Sequence, residues 1–439
     1  MPETRGSIPA RHVAAVVAGN MLEFYDFLTY AFFAVYIGRA FFPSSDPTAS
    51  LLASLGTFGV GFVTRPIGGF VIGRMGDRLG RKPAMVFSVT LMGMAILGLA
   101  VTPPHSKIGI AAPGLVIFFR MVQGFALGGE VGPTTAFLLE AAPLHRRGFY
   151  TAFQSWTQDV AVLFSGLVGF TLSSLLNAQQ LEEYGWRIAF LVGAAIVPFG
   201  IVMRRNLPET FHATGAEKRE RVALRPFLPV AVIGLMLLAS ATINTYVRTY
   251  MTTWAITTLN MRANVAFGAT VVVGLCGVAL DLLGGALSDR IGRKPVMLIP
   301  SLALLVLIFP AFHAILHYHS AAALLGATAV LSSFATVSTC QVVTWLSESL
   351  PAPIRSGGVS VVYAVAIATF GGTTQYTVAW LIHVTGNPLA PAWYWMGSLI
   401  VGLVAILVAH ESAPRKVAGN VDAGAVAMRV PDRAGEGVR

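Results

Sequence analysis

Arginine and amide side chains recur inside stretches of the chain that are otherwise apolar. In "FFRMVQGFALGGE", residues 118–130, the spacing places Arg120, Gln123 and Glu130 on one helical stripe. In "NTYVR", residues 244–248, Arg248 follows Asn244 by one helical turn. Arginine keeps its charge and can hold a carboxylate with two parallel hydrogen bonds. The pattern predicts a binding site for a carboxylated molecule, with Arg120 and Arg248 as its cations and Gln123 as a hydrogen-bond partner.

Carboxyl groups that could exchange a proton lie in a second polar stretch, "GNMLEFYDFLTY", residues 19–30. Asn20, Glu23 and Tyr30 share one helical stripe, and Asp26 lies beside it. An amide or a phenol can hydrogen-bond a bound anion, whereas a carboxyl group can also carry a proton. We therefore predict that Asn20 and Tyr30 contact the bound molecule. Asp26 is the first candidate for a coupled proton, with Glu23 as an alternative.

A third polar stretch, "FQSWTQD" at residues 153–159, adds amides and one more carboxyl group. Gln154 and Gln158 are one turn apart and are predicted to bind the same molecule, while Asp159 is another candidate proton carrier. Two interpretations stay open for Glu130, which is either a proton carrier or a gate residue. Asp281 lies close to a basic turn, where water could reach it, and is a weaker candidate for the site.

The elements that position these side chains follow from the composition. The chain has 439 residues, of which 55% are hydrophobic and 11% charged, and its mean hydropathy is +0.70. A soluble protein carries roughly a quarter charged residues, and ~20 apolar residues suffice for a helix to cross a bilayer. We predict twelve membrane spans, numbered 1 to 12, at about 13–37, 51–74, 83–102, 111–137, 148–176, 187–204, 226–254, 265–287, 295–315, 321–347, 356–381 and 392–410.

Membrane spans make the buried ionisable residues costly. Such a residue at mid-bilayer costs at least ~2.5–3.5 kcal/mol and usually faces the interior of the helix bundle. Arg120 is predicted to lie ~14 Å deep in span 4, because each helical residue rises 1.5 Å. Arg65 in span 2 has a structural interpretation as well, as the partner of Asp26 or Glu23. A binding site near the middle of the membrane best explains why these ionisable residues occur within the spans.

The distribution of basic residues predicts the orientation of the chain. Most of the 30 Lys and Arg residues lie in the N-terminal segment, the even-numbered loops and the C-terminal segment. The alternate loops contain Arg39, Lys107, Arg187 and Arg262. By the positive-inside rule both termini are cytoplasmic. The net charge of +10 is therefore assigned to membrane topology and not to a nucleic-acid partner. The first span carries charges and has no small-residue cleavage site, which argues against a cleaved signal peptide.

Two motifs occur twice in the chain. "GDRLGRKPAM" at 76–85 returns as "SDRIGRKPVM" at 288–297, and "LLEAAPLHRRG" at 138–148 returns as "LSESLPAPIRSG" at 346–357. The first motif follows spans 2 and 8, and the second follows spans 4 and 10. The chain therefore reads as two halves of six spans that run in the same direction, a parallel repeat. The predicted fold is an all-α membrane protein with twelve transmembrane helices in two six-helix bundles.

These repeated motifs resemble the signature of the major facilitator superfamily of secondary transporters, in which a glycine, a spacer and Asp-Arg-x-Gly-Arg-Lys separate spans 2 and 3. Both copies are complete here, beginning at Gly73 and Gly285. The resemblance implies a charge network that holds the cytoplasmic face closed. Its members would be Asp77, Arg78, Arg81, Glu140 and Arg147 in the first half and Asp289, Arg293, Glu348 and Arg355 in the second. The turns could instead be topology signals only, but that leaves the repeated acidic residues unexplained.

Four further stretches narrow the resemblance. "GNMLEFYDF", "RPIGG", "RMVQGFALGGEVG" and "GFYTAFQSWTQ" are similar to the metabolite:proton symporters of bacteria, and most similar to the citrate and tricarballylate symporters among them. That group also includes carriers of 2-oxoglutarate, shikimate, proline and betaine. Span 7 departs from the citrate carriers at Arg248, where they are neutral. The extra cation fits a polyanionic substrate but could equally mark a different one.

The resemblance implies proton-coupled import of a small carboxylate, with citrate or a related tricarboxylate first. A dicarboxylate, shikimate or proline/betaine symporter is the alternative, and a drug/proton antiporter fits less well because its cavity is usually more apolar. An enzyme is not expected, since no nucleophile–base pair or metal-spaced histidine cluster occurs, and no GxxxxGK[ST] loop for ATP is present. Cys276 and Cys340 fall inside spans, which excludes a disulfide framework. No cofactor or metal is expected; the coupling ion is a proton, with sodium left open.

The predicted organisation assigns 1–12 to a cytoplasmic N-terminus, 13–204 and 226–410 to the two bundles, and 205–225 to a cytoplasmic linker. Residues 411–439 are polar and small and are expected to form a disordered cytoplasmic tail. The protein is expected to be a monomer in the bacterial inner membrane, in contact with the lipid bilayer and its small-molecule substrate.

Overall fold

The computed structural model describes residues 21, 24–79, 81–128, 135, 138–139, 142–205 and 225–417. Side chains are described for these residues except 76–79, 81–82, 85, 196, 199–200, 203–205 and 352–353. The described chain is helical and contains no strand, and helices lie in each of the twelve predicted spans. Within these ranges, eight helical segments are long and apolar enough to cross a membrane.

The first half contains spans 1 to 6. Helical residues 24–32 and the helix Ala34–Phe41 belong to span 1. The other helices are Pro47–Val63 and Arg65–Leu79 in span 2, Arg81–Val101 in span 3, Ala111–Leu127 in span 4, Arg147–Thr151 and Phe153–Leu175 in span 5, and Trp186–Arg205 in span 6.

The second half contains spans 7 to 12. Its helices are Leu228–Thr257 in span 7, Ala263–Ile291 in span 8, Arg293–Tyr318 in span 9, Ala321–Thr339 and Val342–Glu348 in span 10, Ala352–Ala366 and Gly372–Thr385 in span 11, and Ala390–Val408 in span 12. A π-helical turn, Ile367–Gly371, joins the two helices of span 11.

Local sequence signals set several helix ends. Asp46 accepts a hydrogen bond from the Thr48 backbone N–H at 2.9 Å, and Pro47 occupies the first helical position of span 2. Ser320 caps span 10 in the same way through the Ala323 N–H. Gly292 has φ of +110° in the turn between spans 8 and 9. Glycine adopts this backbone conformation without a steric penalty, so the chain can turn from span 8 into span 9 at a single residue.

The outer surface of the bundle is apolar. Val306, Val101 and Phe70 are 71%, 70% and 69% exposed, and many other large apolar side chains are exposed along the spans. In water such a surface would be unfavourable, since about 25 cal/mol is lost for each Å² of apolar area left exposed. The acyl chains of a bilayer cover it at no such cost, which is why the polar residues of the spans face inward.

The two halves meet along two pairs of spans with glycines at the contact. Spans 5 and 8 lie so close that a Cβ atom on Gly277 would overlap the Asp159 carboxylate, and one on Gly274 would overlap the Leu163 backbone. Spans 2 and 11 approach at Gly59, whose added Cβ would meet the Gly372 carbonyl. Small residues allow such close helix packing in membranes. These contacts place residues of the two halves within hydrogen-bonding distance of each other.

Candidate functional site

Arg120, Gln123 and Asp26 form a hydrogen-bonded chain between spans 4 and 1. Arg120 Nη1 donates to Gln123 Oε1 at 2.7 Å, and Gln123 Nε2 donates to Asp26 Oδ2 at 2.7 Å. All three side chains are at most 1% exposed. The i,i+3 spacing on span 4 brings the cation and the amide together. The amide thus turns its oxygen to the cation and its nitrogen to the carboxyl group, which links the two charges indirectly.

One edge of the Arg120 guanidinium makes no hydrogen bond to the residues that the structure describes. Its Nε and Nη2 groups have no hydrogen-bond partner within the described part of the chain, and neither has Asp26 Oδ1. These two nitrogens form the edge with which arginine holds a carboxylate in two parallel hydrogen bonds. An unsatisfied N–H group in a buried site is costly, typically about 1–3 kcal/mol. The geometry therefore favours an anionic ligand at this edge.

Aromatic rings surround the same guanidinium. Arg120 Cζ lies 4.5 Å from the centroids of the Phe27 and Tyr30 rings and 5.1 Å from that of Phe58. Rings at this distance stabilise a cation through their negative faces. Tyr30 also donates from its hydroxyl to the Ser54 carbonyl at 3.3 Å. Tyr30 thus contacts Arg120 by its ring, and the aromatic set keeps the cation in a buried position without neutralising it.

Arg65 packs against the same aromatic cluster from span 2. Its Cζ atom is 4.5 Å from the Phe27 ring centroid and 4.4 Å from that of Phe62. Tyr246 of span 7 contacts Phe62 with 5.9 Å between ring centroids, so the second half covers the cluster. Arg65 and Tyr363 line a narrow cleft between spans 2, 4 and 11. Arg65, interpreted from the sequence as a structural partner of Asp26 or Glu23, thus faces a cleft between the halves.

Arg248 lies in a different group, with two carboxyl groups of spans 5 and 8. Its Nη1 donates to Thr336 Oγ1 at 3.0 Å, and its Nε has no hydrogen-bond partner among the described residues. The carboxyl groups of Asp159 and Asp281 lie next to each other where spans 5 and 8 meet, and Arg248 acts electrostatically on both. Asp281 is 1% exposed, deeper than its closeness to the basic turn suggests. The structure thus groups the two arginines predicted as ligands with different acidic residues: Arg120 with Asp26, and Arg248 with Asp159 and Asp281.

The amides predicted to bind the ligand lie around these two groups. Gln154 is buried on span 5, and Gln158 lies close to Tyr363 of the other half. Asn244, one turn before Arg248, is buried on span 7 and lines a small cavity within the second half with Ser240 and Ser338. Spans 5 and 11 therefore contribute polar groups to the region where the halves meet.

A buried charge network lies at the end of the molecule that carries the repeated turns, residues 76–82 and 288–294, which we call the basic end. Arg293 is fully buried and holds Glu348 by two bonds, from Nε to Oε2 at 3.1 Å and from Nη2 to Oε1 at 2.9 Å. Its Nη1 donates to Asp289 Oδ1 at 2.8 Å. Three of the residues implied for the second-half gate thus lie in one network.

Asp289 joins the two halves at the basic end. It accepts hydrogen bonds from the backbone N–H groups of Gly148 at 2.8 Å and Phe149 at 2.9 Å, at the start of span 5. A carboxylate is stabilised at a helix N-terminus, where N–H groups lack partners within the helix. Thr151 and Thr344 share a hydrogen bond of 2.6 Å between the halves close by. The second half therefore holds the first through a charged side chain and not only through apolar packing.

The other residues of the predicted gate are described in part. Arg355 donates from Nε to the carbonyls of Ser347 at 2.8 Å and Leu350 at 3.2 Å. Arg147 is half-buried at the start of span 5. Asn20, Glu23, Glu130 and Glu140 lie outside the described residues, and so do the side chains of Asp77, Arg78 and Arg81.

Residues after span 12 take part in the basic-end network, which the sequence did not suggest. Glu411 accepts from the backbone N–H groups of Arg293 at 2.8 Å and Lys294 at 3.1 Å, at the start of span 9. Ser412 donates to Glu348 Oε2 at 2.8 Å and is 2% exposed. These residues open the segment expected to be a disordered tail; its part beyond 417 lies outside the described residues. In the sequence, the available signal for this role of Glu411 was the position of an acidic residue shortly after an apolar run.

A family model described as Major Facilitator Superfamily matches residues 16–299. The chain belongs to the major facilitator superfamily. It is therefore a multi-pass membrane transporter and not an enzyme, as the sequence predicted. The described residues contain no group of three or more His, Cys, Asp or Glu side chains that could hold a metal ion.

Solved structures of superfamily members show the same fold. A D-xylose–proton symporter matches with a TM-score of 0.73 at 20% identity, over 92% of this chain and 98% of that one. The xylose transporter of E. coli in a partially occluded inward-open conformation matches with a TM-score of 0.74 at 17% identity, over 92% and 98%. These matches confirm the predicted arrangement of twelve spans in two six-helix bundles.

Curated relatives within the superfamily match almost the whole chain. A citrate-proton symporter of Klebsiella pneumoniae is 34% identical over 92% of this chain and 93% of its own length. An alpha-ketoglutarate permease of Escherichia coli (strain K12) is 34% identical over 91% and 94%. A proline/betaine transporter of the same strain is 28% identical over 93% and 84%.

Proposed function

We propose that this chain is a proton-coupled symporter that imports a small carboxylate, with citrate or a related tricarboxylate as its first substrate. The observation that carries the proposal is the buried edge of Arg120 that makes no hydrogen bond to the described residues, while the same guanidinium is linked to the carboxyl group of Asp26 through Gln123. Relatives that include citrate-proton symporters support the substrate class.

The linkage suggests how a proton and a substrate share one site. With Asp26 ionised, Gln123 connects its negative charge to Arg120, and the charge of the arginine is partly balanced. When Asp26 takes up a proton, that balance is lost and Arg120 binds a carboxylate more strongly. Substrate and proton therefore bind together, and the two halves rock around them to open on the other side. Tyr30, Gln154 and Gln158, with Asn20 on span 1, supply further hydrogen bonds.

Coupling to protons is needed on energetic grounds. Bringing a dianion into a cell at −100 mV costs about 4.6 kcal/mol, because each charge costs ~2.3 kcal/mol at that potential. Protons carried with the substrate neutralise this charge and supply the free energy for accumulation. Both termini are assigned to the cytoplasm of a bacterial inner membrane on the basis of the basic loops.

Replacement of Arg120 tests the proposal. In proteoliposomes, Arg120→Lys should lower kcat/KM for radiolabelled citrate by roughly 10- to 100-fold, because a charge-assisted bond is worth about 1.5–3 kcal/mol and lysine cannot make the paired contact. Arg39→Lys is the matched control, since Arg39 is exposed and paired with Glu182 at 3.0 Å. Normal citrate transport by Arg120→Lys would show that the ligand assignment is wrong.

A dicarboxylate substrate is the second candidate, since the alpha-ketoglutarate permease is as similar to this chain as the first citrate symporter. Competition of citrate, 2-oxoglutarate, shikimate and betaine for one uptake reaction separates these possibilities. Dye efflux would instead indicate the drug/proton antiporter alternative. A thermal-shift screen of the purified protein against the same compounds gives an independent ranking.

A further inference from the structure

Asp159 and Asp281 form a carboxyl pair between the two halves of the protein. Asp159 lies on span 5 and is 8% exposed, and Asp281 lies on span 8 and is 1% exposed. The two carboxyl groups lie next to each other where spans 5 and 8 meet. Gly277, one turn before Asp281, lies against the Asp159 carboxylate, and Trp156 Nε1 donates to the Val278 carbonyl at 3.1 Å. The pair is therefore held by close packing of spans 5 and 8.

Two carboxyl groups that lie side by side in a buried site need a proton between them. An ionised carboxylate only accepts hydrogen bonds, so the two groups can bond each other only when one of them is protonated and donates its O–H. Two carboxylates that share a buried site cannot both ionise without strong repulsion. Asp281 Oδ2 has no hydrogen-bond partner among the described residues, so no donor from another residue stabilises a negative charge on that atom.

The charges around the pair balance when one proton is present. Arg248 of span 7 acts on both carboxyl groups, and Cys340, at the end of the first helix of span 10, lies near Asp281. With one shared proton the pair carries a single negative charge opposite the positive charge of Arg248. Loss of the proton leaves two negative charges and one positive charge in a buried contact between the halves. The excess charge makes the contact unfavourable, because buried charges need partners.

We propose that Asp159 and Asp281 form a second proton-binding site, whose occupation allows spans 5 and 8 to pack together. The inference deepens the proposed proton-coupled symport and rests on it for its role in transport. Asp26 and its partners lie on spans 1 and 4 of one half, so that site couples a proton to the substrate. The Asp159–Asp281 site instead couples a proton to the contact between the halves.

Infrared spectroscopy of the purified full-length protein tests the shared proton directly. The carbonyl stretch of a protonated carboxyl group is followed while the pH is raised, in the absence of substrate. The wild-type protein should show a protonated-carboxyl band that disappears as the pH rises. Asp26→Asn is the background, because Asp26 is itself proposed to carry a proton, and the band should remain in that variant. Adding Asp159→Asn or Asp281→Asn should remove the band, because either change leaves a single carboxylate that accepts from an amide.

Transport provides a second measurement, with radiolabelled citrate as the probe in counterflow exchange. Exchange by Asp26→Asn, which lacks the titration of Asp26, should slow as the pH rises. Adding Asp281→Asn should remove most of this pH dependence, because the introduced amide donates to the Asp159 carboxylate and keeps the charges balanced without a proton. A carboxyl band that survives when Asp159→Asn or Asp281→Asn is added to Asp26→Asn overturns the inference. Absence of citrate exchange in the wild type would count against the proposed substrate, and the infrared result would still decide whether the pair holds a proton.

Discussion

At the scale of single residues, Asp26 controls a cation that it does not touch directly. Gln123 stands between Asp26 and Arg120, with hydrogen bonds of 2.7 Å on both sides. An amide cannot take up a proton at physiological pH, so the protonation of Asp26 is transmitted as a change in the charge that Gln123 faces. This arrangement keeps the substrate-binding edge of Arg120 available while the proton is bound nearby.

Replacement of Asp26 separates proton coupling from substrate binding at the hydrogen-bonded residues Asp26, Gln123 and Arg120. Asp26→Asn is permanently neutral, as the protonated acid is, so Arg120 should still bind the substrate. We expect this variant to lose uptake driven by a pH gradient and to keep substrate exchange across the membrane. Proteoliposomes loaded with citrate measure both activities in one preparation. Glu183→Gln, at an exposed position, is the control, and pH-driven uptake at the wild-type rate in Asp26→Asn would rule out Asp26 as the coupling group.

At the scale of helices, span 9 begins at a turn whose free N–H groups are satisfied from outside the helix. Gly292 makes the turn with φ of +110°, and Glu411, from after span 12, accepts from the N–H groups of Arg293 and Lys294. Lys294 Nζ returns a bond to the Leu407 carbonyl at 2.7 Å. A carboxylate at this position compensates both the unpaired N–H groups and the positive end of the helix. Spans 9 and 12 are thereby joined at the basic end.

Loss of this cap should weaken the second half. Glu411→Ala should lower stability by about 1 kcal/mol, as for other helix N-caps. In a thermal unfolding experiment in detergent, the midpoint should fall by roughly 2 °C. Glu183→Ala removes an exposed glutamate of the first half and should leave the midpoint unchanged. Equal midpoints for wild type and Glu411→Ala would mean that the cap contributes nothing to stability.

At the scale of the whole molecule, Asp289 links the halves at the basic end. Arg293 and Glu348 lie beside it within the second half. In the first half, the backbone N–H groups of Gly148 and Phe149 donate hydrogen bonds to it. The halves must separate at this end for a carrier to open there. The strength of the Asp289 contact therefore affects how often the basic end opens, since each charge-assisted hydrogen bond contributes about 1.5–3 kcal/mol.

A variant that weakens this contact should open the basic end more often. Asp289→Asn removes the negative charge and leaves Arg293 bound to Glu348. With Cys276→Ser and Cys340→Ala as background, Thr344→Cys places a thiol at a buried position, where its labelling by a water-soluble maleimide reports access. We expect the labelling rate to rise roughly 10-fold with Asp289→Asn, as 1.4 kcal/mol corresponds to a factor of ten. Asp46→Asn, at the opposite end, is the control; an unchanged rate would exclude Asp289 as a latch between the halves.

The sequence by itself determined the spans, the two-half repeat and the residues that neighbour each other on one helix. Twelve apolar runs and two repeated motifs sufficed for the fold, because span length and repetition are properties of the linear chain. The Arg120–Gln123 contact was equally accessible, since a spacing of three residues fixes it on any helix.

Only the tertiary structure decided which helix faces meet. Gln123 reaches Asp26 because spans 1 and 4 pack together, and Asp281 is buried because Gly277 lets span 5 lie directly against span 8. Counting residues from the basic turn suggested a wetted Asp281, and grouping by residue type placed Arg248 beside Arg120. Counting residues and grouping them by type do not show how a helix is rotated about its axis or which helix lies next to it. Those depend on packing between residues far apart in the chain, here Asp159 with Asp281 and Arg248 with Thr336.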